Sequence, residues 1–360
     1  MSRRAFLKWL LAATAIVAGS FYGLFRLLAR PGAGGGPPLT AADGGAGAGE
    51  PDASPTTAPA QEEKPVRIAE PLLSFFVLSD LHVSVYDEST PRKLRNALDQ
   101  IARFESPVDA LLLGGDLTDY GMESEIKSLE SILAAYKLPP VYANMGNHDY
   151  YNVWIDKNGG FSRETFPNGN TDAGSRARFM KTFDYANVYN DAKLKGHHII
   201  LVSQEAYVQE KPEVGEGAWY SDEQLEWLKA KLAETKDGKP IFVLIHQPLP
   251  PAGEDGGSHR LIRAKEFRSI LKPHKNVFVI SGHTHQDFDN GSSHYSKETF
   301  HWFTNASVGR TRNNQPGVEK SQGMYVQVYE DRVVVRGWEF AKQAWIDAAN
   351  WTIPLERAGV

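Results

Sequence analysis

Five short polar clusters limit what this chain can become. Asp80-Leu81-His82, Gly115-Asp116-Leu117-Thr118-Asp119, Gly146-Asn147-His148-Asp149, His246 and Gly282-His283-Thr284-His285 each close or follow a short apolar run. Those runs, at about 72–79, 109–114, 141–145, 241–246 and 277–281, have the length and composition of buried strands. Strands that all end in carboxylate, amide and imidazole must send those ends into loops. In open α/β sheets, ligands bind beyond the C-terminal strand ends, where loops converge on a rigid frame. Asp, Asn and His side chains together make a hard-to-borderline metal ligand set. Taken singly each cluster reads as ordinary loop punctuation; the information lies in their order.

The rest of the chain supplies the frame. A further strand is expected at 198–203, and helices at about 91–104, 122–136, 221–235 and 261–271. The clearest helix start is Ser221-Asp222-Glu223-Gln224, a capping box, with Leu225, Leu228 and Leu232 following at helical spacing. Runs at 324–329 and 333–338 flank Glu330-Asp331 as a hairpin. This is an α/β pattern with a sheet-rich end, expected to form two packed β-sheets flanked by helices. The stretch from Tyr150 to about Lys195 is aromatic, rich in Gly and Asn, and too long for an ordinary connection. It reads as a cap or insertion (150–195) within a domain spanning 66–345, followed by a tail at 346–360.

The N-terminal region is of another kind. Ser2-Arg3-Arg4-Ala5-Phe6-Leu7-Lys8 precedes an apolar run from Trp9 to about Leu28, and this resembles a bacterial twin-arginine signal. That resemblance implies the twin-arginine translocation machinery as a partner and an exported protein, extracytoplasmic and associated with membrane or cell wall. No clear small-residue cleavage pattern follows, and the run is long enough to span a bilayer, so residues 1–30 also read as a retained membrane anchor. Residues 31–60 hold eight Gly, eight Ala and six Pro and are expected to be a flexible linker, extending to about 65.

Charge and cysteine usage remove some function classes. The formal net charge is −5, and the first thirty residues contribute +5, which leaves −10 for the body. An acidic body is a poor polyanion surface, so nucleic acid is disfavoured as a partner. With no cysteine in the chain, disulfides, thiolate metal sites and cysteine nucleophiles are excluded.

In order and type, the five clusters resemble the calcineurin-like metallophosphoesterase family over about residues 72–310. The resemblance implies a four-layer fold with a dinuclear metal site at the strand C-terminal ends. It implies that Asp80, His82 and His285 bind a first ion, Asn147, His246 and His283 a second, and that Asp116 bridges them at a separation of about 3.5–4 Å. The cofactors would be two divalent or trivalent transition-metal ions (Mn, Fe, Zn or Co), and a metal-bridging hydroxide would attack the phosphorus of a phosphomonoester or phosphodiester substrate. His148 would lie over the substrate phosphate, stabilising charge or protonating the leaving alkoxide, with Asp149 orienting its imidazole. Asp119 reads equally as a partner of the ligands or as the N-cap of helix 122–136, and His259 as a residue near substrate. Arg163, Arg176 and Arg178 in the cap read as solvated charge before they read as phosphate contacts.

Position 119 also narrows the branch. Purple acid phosphatases carry Tyr three residues after the bridging Asp; here that residue is Asp119. The Gly-Asp-x-x-Asp form resembles instead the bacterial branch of cyclic-nucleotide-phosphodiesterase-like enzymes. Two alternatives use the same fold: a non-catalytic scaffold, which would have lost ligands, and a DNA nuclease, which would need a basic surface.

Overall fold

The computed structural model describes residues 70–313 and 317–356. The twin-arginine segment and the Gly/Ala/Pro-rich stretch lie outside the described residues. Among those described, no helix is long and apolar enough to cross a membrane.

Two six-stranded mixed sheets form the centre. The first has the order β12-β11-β10-β1-β2-β3, built from β1 (Leu73–Leu78), β2 (Ala110–Gly114), β3 (Val141–Asn144), β10 (Gln322–Val328), β11 (Arg332–Glu339) and β12 (Ala344–Pro354). The second has the order β4-β5-β6-β7-β9-β8, built from β4 (Asn190–Leu194), β5 (His197–Leu201), β6 (Ile241–Leu244), β7 (Val277–Ser281), β8 (Tyr295–Lys297) and β9 (His301–Thr304). Within each sheet the motif-bearing strands run parallel: β1 beside β2 beside β3, and β6 beside β7. All the motif-bearing ends therefore emerge on one edge.

The strand sequences require this sandwich. Leu73-Ser74-Phe75-Phe76-Val77-Leu78 is buried on both faces, as parallel strands covered on two sides must be. Leu73, Phe75 and Val77 pack between the sheets, where Phe75 meets Phe242 edge-on at 5.0 Å. Phe76 and Leu78 turn the other way, toward helices α1 (Ser89–Ala102) and α2 (Glu123–Ala134). Helices α4 (Asp222–Ala233) and α5 (Ala264–Leu271) cover the second sheet through Leu225, Leu228, Leu232, Phe267 and Leu271. Each such side chain fully buried contributes about 1.5–3 kcal/mol.

The expected cap has more structure than its sequence suggested. It holds α3 (Asp172–Phe183), capped by the Thr171 hydroxyl, and ends in β4, an edge strand of the second sheet. Val153, Phe179, Val188 and Tyr189 join the core on the first-sheet side. The expected tail at 346–360 is corrected: residues 344–354 are β12, paired antiparallel with β11.

Candidate metal centre

The strand ends place every expected ligand in one buried pocket. Asp80 and His82 follow β1, Asp116 follows β2, Asn147 follows β3, His246 follows β6, and His283 and His285 follow β7. Asp80, His82, Asp116 and His285 form one cluster, and Asp116, His246 and His283 a second, so Asp116 is shared. Asn147 joins the second cluster, with its Oδ1 3.0 Å from His283 Nδ1. His82 Nε2 lies 2.9 Å from His285 Nε2, and His285 Nε2 lies 3.1 Å from Asp80 Oδ1.

Backbone geometry aims these groups. Asp80, His82, Asp116, His283 and His285 all have positive φ, between 47° and 70°. Asp and His tolerate this region better than most residues, yet such strain persists only where surroundings impose it. Gly146 allows the close approach: a Cβ there would stand 2.2 Å from Asp116 Oδ1. Backbone amides complete the carboxylate shells, with His283 N donating to Asp80 at 2.9 Å and His148 N donating to Asp116 Oδ1 at 2.9 Å.

The partners of the imidazoles set their tautomers. His246 Nδ1 donates to the Gly114 carbonyl at 2.8 Å, leaving Nε2 to face Asp116. His82 Nδ1 lies 3.3 Å from Asp119 Oδ1, which leaves its Nε2 facing His285. Burial, then neighbouring His148, pushes His82 down to about 4, and burial with His246 pushes His283 down to about 3. Burial opposes ionisation of Asp80 and Asp116, but His285 and His246 beside them hold both carboxyls below their ordinary value. Ionised carboxylates beside neutral imidazoles are what a metal ion binds. His246 is the exception. Burial disfavours its charge, yet Asp116 pushes it up to about 9, so this corner favours a cation.

The donor set fits metal ions on a further count. Asp116 Oδ2 and His246 Nε2 are buried 3.1 Å apart as an ion-pair contact, and neither has any other hydrogen-bond partner. Unsatisfied buried groups are costly, and a shared cation would satisfy both.

Three other expectations are sorted by the structure. His148 lies beside the ligands, its ring 4.4 Å from that of His82, and its Nδ1 donates to the Asp119 carbonyl at 2.8 Å. Asp149 does not orient His148: its carboxylate accepts from Gly146 N, Thr118 N and Thr118 Oγ1, tying two motif loops together. Adjacent side chains diverge here, and the orienting group is Asp119. Asp119 is therefore a partner of the site rather than a helix cap. The α2 cap position is Met122, whose N–H is held by Glu125. His259 lies with its Nδ1 3.2 Å from His283 Nε2, behind a ligand. Arg176 is engaged by Glu210 and the Glu205 carbonyl, away from any phosphate role.

Three residues outside the sequence motifs also border the site. Arg310 donates to Asp119 Oδ2 at 2.6 Å. Glu216 accepts from Asn147 Nδ2, Tyr151 OH and Tyr207 OH. Gln247 donates to Gln204 Oε1 at 2.6 Å and to the Glu216 carbonyl at 3.1 Å. The available signal for Glu216 was the Gly215-Glu216-Gly217 triplet: Gly215 has φ +53, and a Cβ on Gly217 would stand 2.4 Å from the Gly257 carbonyl.

The sequence profile of calcineurin-like phosphoesterases matches residues 73–287, more than half of the chain. The chain belongs to the calcineurin-like phosphoesterase family. Among curated proteins it is 23% identical over 185 residues to the glycerophosphodiester phosphodiesterase GpdQ of Enterobacter lignolyticus, covering 49% of this chain and 56% of that protein. It is 26% identical over 216 residues to a probable cyclic nucleotide phosphodiesterase of Rhodococcus erythropolis, covering 58% and 63%. The chain thus spans about three fifths of these relatives' length. In fold it is similar to the purple acid phosphatase PPD1 of yellow lupin, with a TM-score of 0.50 at 11% identity, over 78% of this chain and 53% of that one. The likeness to the lupin enzyme concerns the fold alone.

Proposed function

We propose that this family member is a metal-dependent phosphoester hydrolase that binds two ions, one held by Asp80, His82 and His285, the other by Asn147, His246 and His283, with Asp116 between them. The observation that carries the reading is the sharing of Asp116 by two clusters of candidate ligands, with its Oδ2 buried beside His246 Nε2. When bound, such ions supply an acidified water and neutralise charge on the phosphoryl oxygens. The chain's own residues do the rest. Asp119 holds His82 by its carboxylate and His148 by its carbonyl. His148 then presents Nε2 as its free nitrogen, suited to stabilise or protonate a departing alkoxide. Buried walls around the ligands exclude bulk water and strengthen every charge interaction.

The completeness of the ligand set argues against the scaffold reading, and the acidic body against a DNA nuclease. The names of the relatives favour phosphodiesters among possible substrates. The Ser2–Lys8 motif supports an exported, extracytoplasmic protein, a reading that cell fractionation of the full chain tests: recovery in the cytosol would sink it.

The activity test is a panel of phosphodiesters and monoesters with metal-loaded wild type, Asp116→Asn and His148→Ala. Both variants should lose activity by at least about 100-fold, with metal retained only in His148→Ala. No turnover by wild type with any of Mn, Fe, Zn or Co would refute the proposal.

A further inference from the structure

Glu216 is a carboxylate in the pocket that is not among the expected metal ligands. Its Oε2 accepts from Asn147 Nδ2 at 2.8 Å and from Tyr151 OH at 2.7 Å, and its Oε1 accepts from Tyr207 OH at 2.8 Å. Three groups donate to it and none asks it to donate, an arrangement that suits a carboxylate. Asn147 turns its other amide atom, Oδ1, toward His283, so Glu216 stands one amide group away from the second ligand cluster. Tyr151, which donates to Glu216, stacks on His148 at 4.0 Å. Glu216 thus belongs to the same opening as the group facing the leaving alkoxide. No Lys or Arg pairs with it in an ion pair among the described residues, unlike Asp119, which Arg310 offsets.

We propose that Glu216 is a specificity-determining residue: its negative charge selects singly charged phosphodiesters over phosphomonoesters. This rests on the phosphoesterase reading above. A monoester carries close to two negative charges above about pH 7, because its second ionisation lies near 6, while a diester keeps one. Beside a fixed, half-buried carboxylate, the additional charge is penalised. Hydrogen bonds from two tyrosines and Asn147 hold the carboxylate in place, so it cannot swing away from a doubly charged ligand.

The test compares methyl para-nitrophenyl phosphate with para-nitrophenyl phosphate at about pH 8; they share a leaving group and differ by one methyl and one charge. Wild type should prefer the diester. Glu216→Gln should raise kcat/KM for the monoester relative to the diester by about tenfold or more. Calorimetry with inorganic phosphate, another dianion, should show tighter binding to metal-loaded Glu216→Gln by a similar factor. Tyr207→Phe disturbs the same network without changing charge and should leave the ratio alone. An unchanged ratio in Glu216→Gln, or an equal change in Tyr207→Phe, overturns the inference. So does loss of both activities with one metal equivalent missing, which would make Glu216 a positioning residue for Asn147. Wild type inert toward both substrates would instead overturn the phosphoesterase reading, while the phosphate-binding comparison still reads the charge filter.

Discussion

Asp119 shows how much of the site depends on one side chain. It touches His82 and Arg310 through its carboxylate and His148 through its carbonyl. Burial works against its ionisation, but bonds from His148 and His82 and the charge of Arg310 hold it well below the usual carboxylate range. Asp119→Ala should therefore weaken metal binding by roughly 10–100-fold, the usual effect of losing a ligand's outer partner; a metal titration followed by calorimetry checks it, and unchanged affinity would contradict the role. Gly146→Ala should be worse, because its Cβ would overlap Asp116 Oδ1 and crowd His246 Cδ2 at 2.7 Å. We expect loss of bound metal and a lower melting temperature together. At this scale the candidate ligands are legible in their types and order, Glu216 only as a charge within a Gly-x-Gly turn, and Arg310 not at all. Their roles depend on loops from distant strands meeting, which no local pattern encodes. Adjacent residues are not partners here: the Asp149 carboxylate turns away from His148 to Thr118.

Among elements, those with a clean period were legible. The strands that bear ligands are short apolar runs, and α4 announces itself by Ser221, whose Oγ accepts from Gln224 N at 3.1 Å. Gln224 does not complete the box; its side chain bonds Ser203 at the end of β5 instead. β12 was missed for a physical reason. A register shift opposite Arg336 and Gly337 breaks its alternation, so its buried residues Ile346, Ala349 and Ile353 fall at a spacing of three and four. A chain ending at Gln343 would lose these side chains and the Trp345 ring under Arg336 and against Trp338. At about 1.5–3 kcal/mol for each large buried side chain, that truncation should unfold the domain or leave it insoluble; a melting temperature close to that of the full chain would contradict β12 as an integral strand. At the start of α2, buried Glu125 is pushed up to about 7 by desolvation, against the bonds from Tyr120 and Met122 that favour its charge. A carboxyl raised on folding binds a proton more tightly in the folded state. Its penalty is therefore absent below its ordinary value of 4.5, grows as pH rises, and is complete above 7. Glu125→Gln keeps an acceptor for the two amides and should raise stability at about pH 8 by roughly 2–3 kcal/mol while changing it little at pH 4. Denaturant titrations at both values test this; equal effects at the two would refute it.

For the whole molecule, the candidate ligands come from both halves of the sandwich. Asp80, His82, Asp116 and Asn147 come from the first sheet, and His246, His283 and His285 from the second. Metal bound here would staple the sheets together at their C-terminal edge. At a thousandfold excess over Kd, each ion adds about 4 kcal/mol to stability by mass action, so chelation should lower the melting temperature markedly while Asp116→Asn blunts that response. The central claim is two ions acting as one phosphoesterase centre. Its most direct measurement is a titration of metal-free protein with Mn or Zn while hydrolysis of a para-nitrophenyl phosphodiester is followed. Activity should rise to a plateau at two equivalents per chain. A plateau at one equivalent, or two ions bound with no hydrolysis, would contradict it.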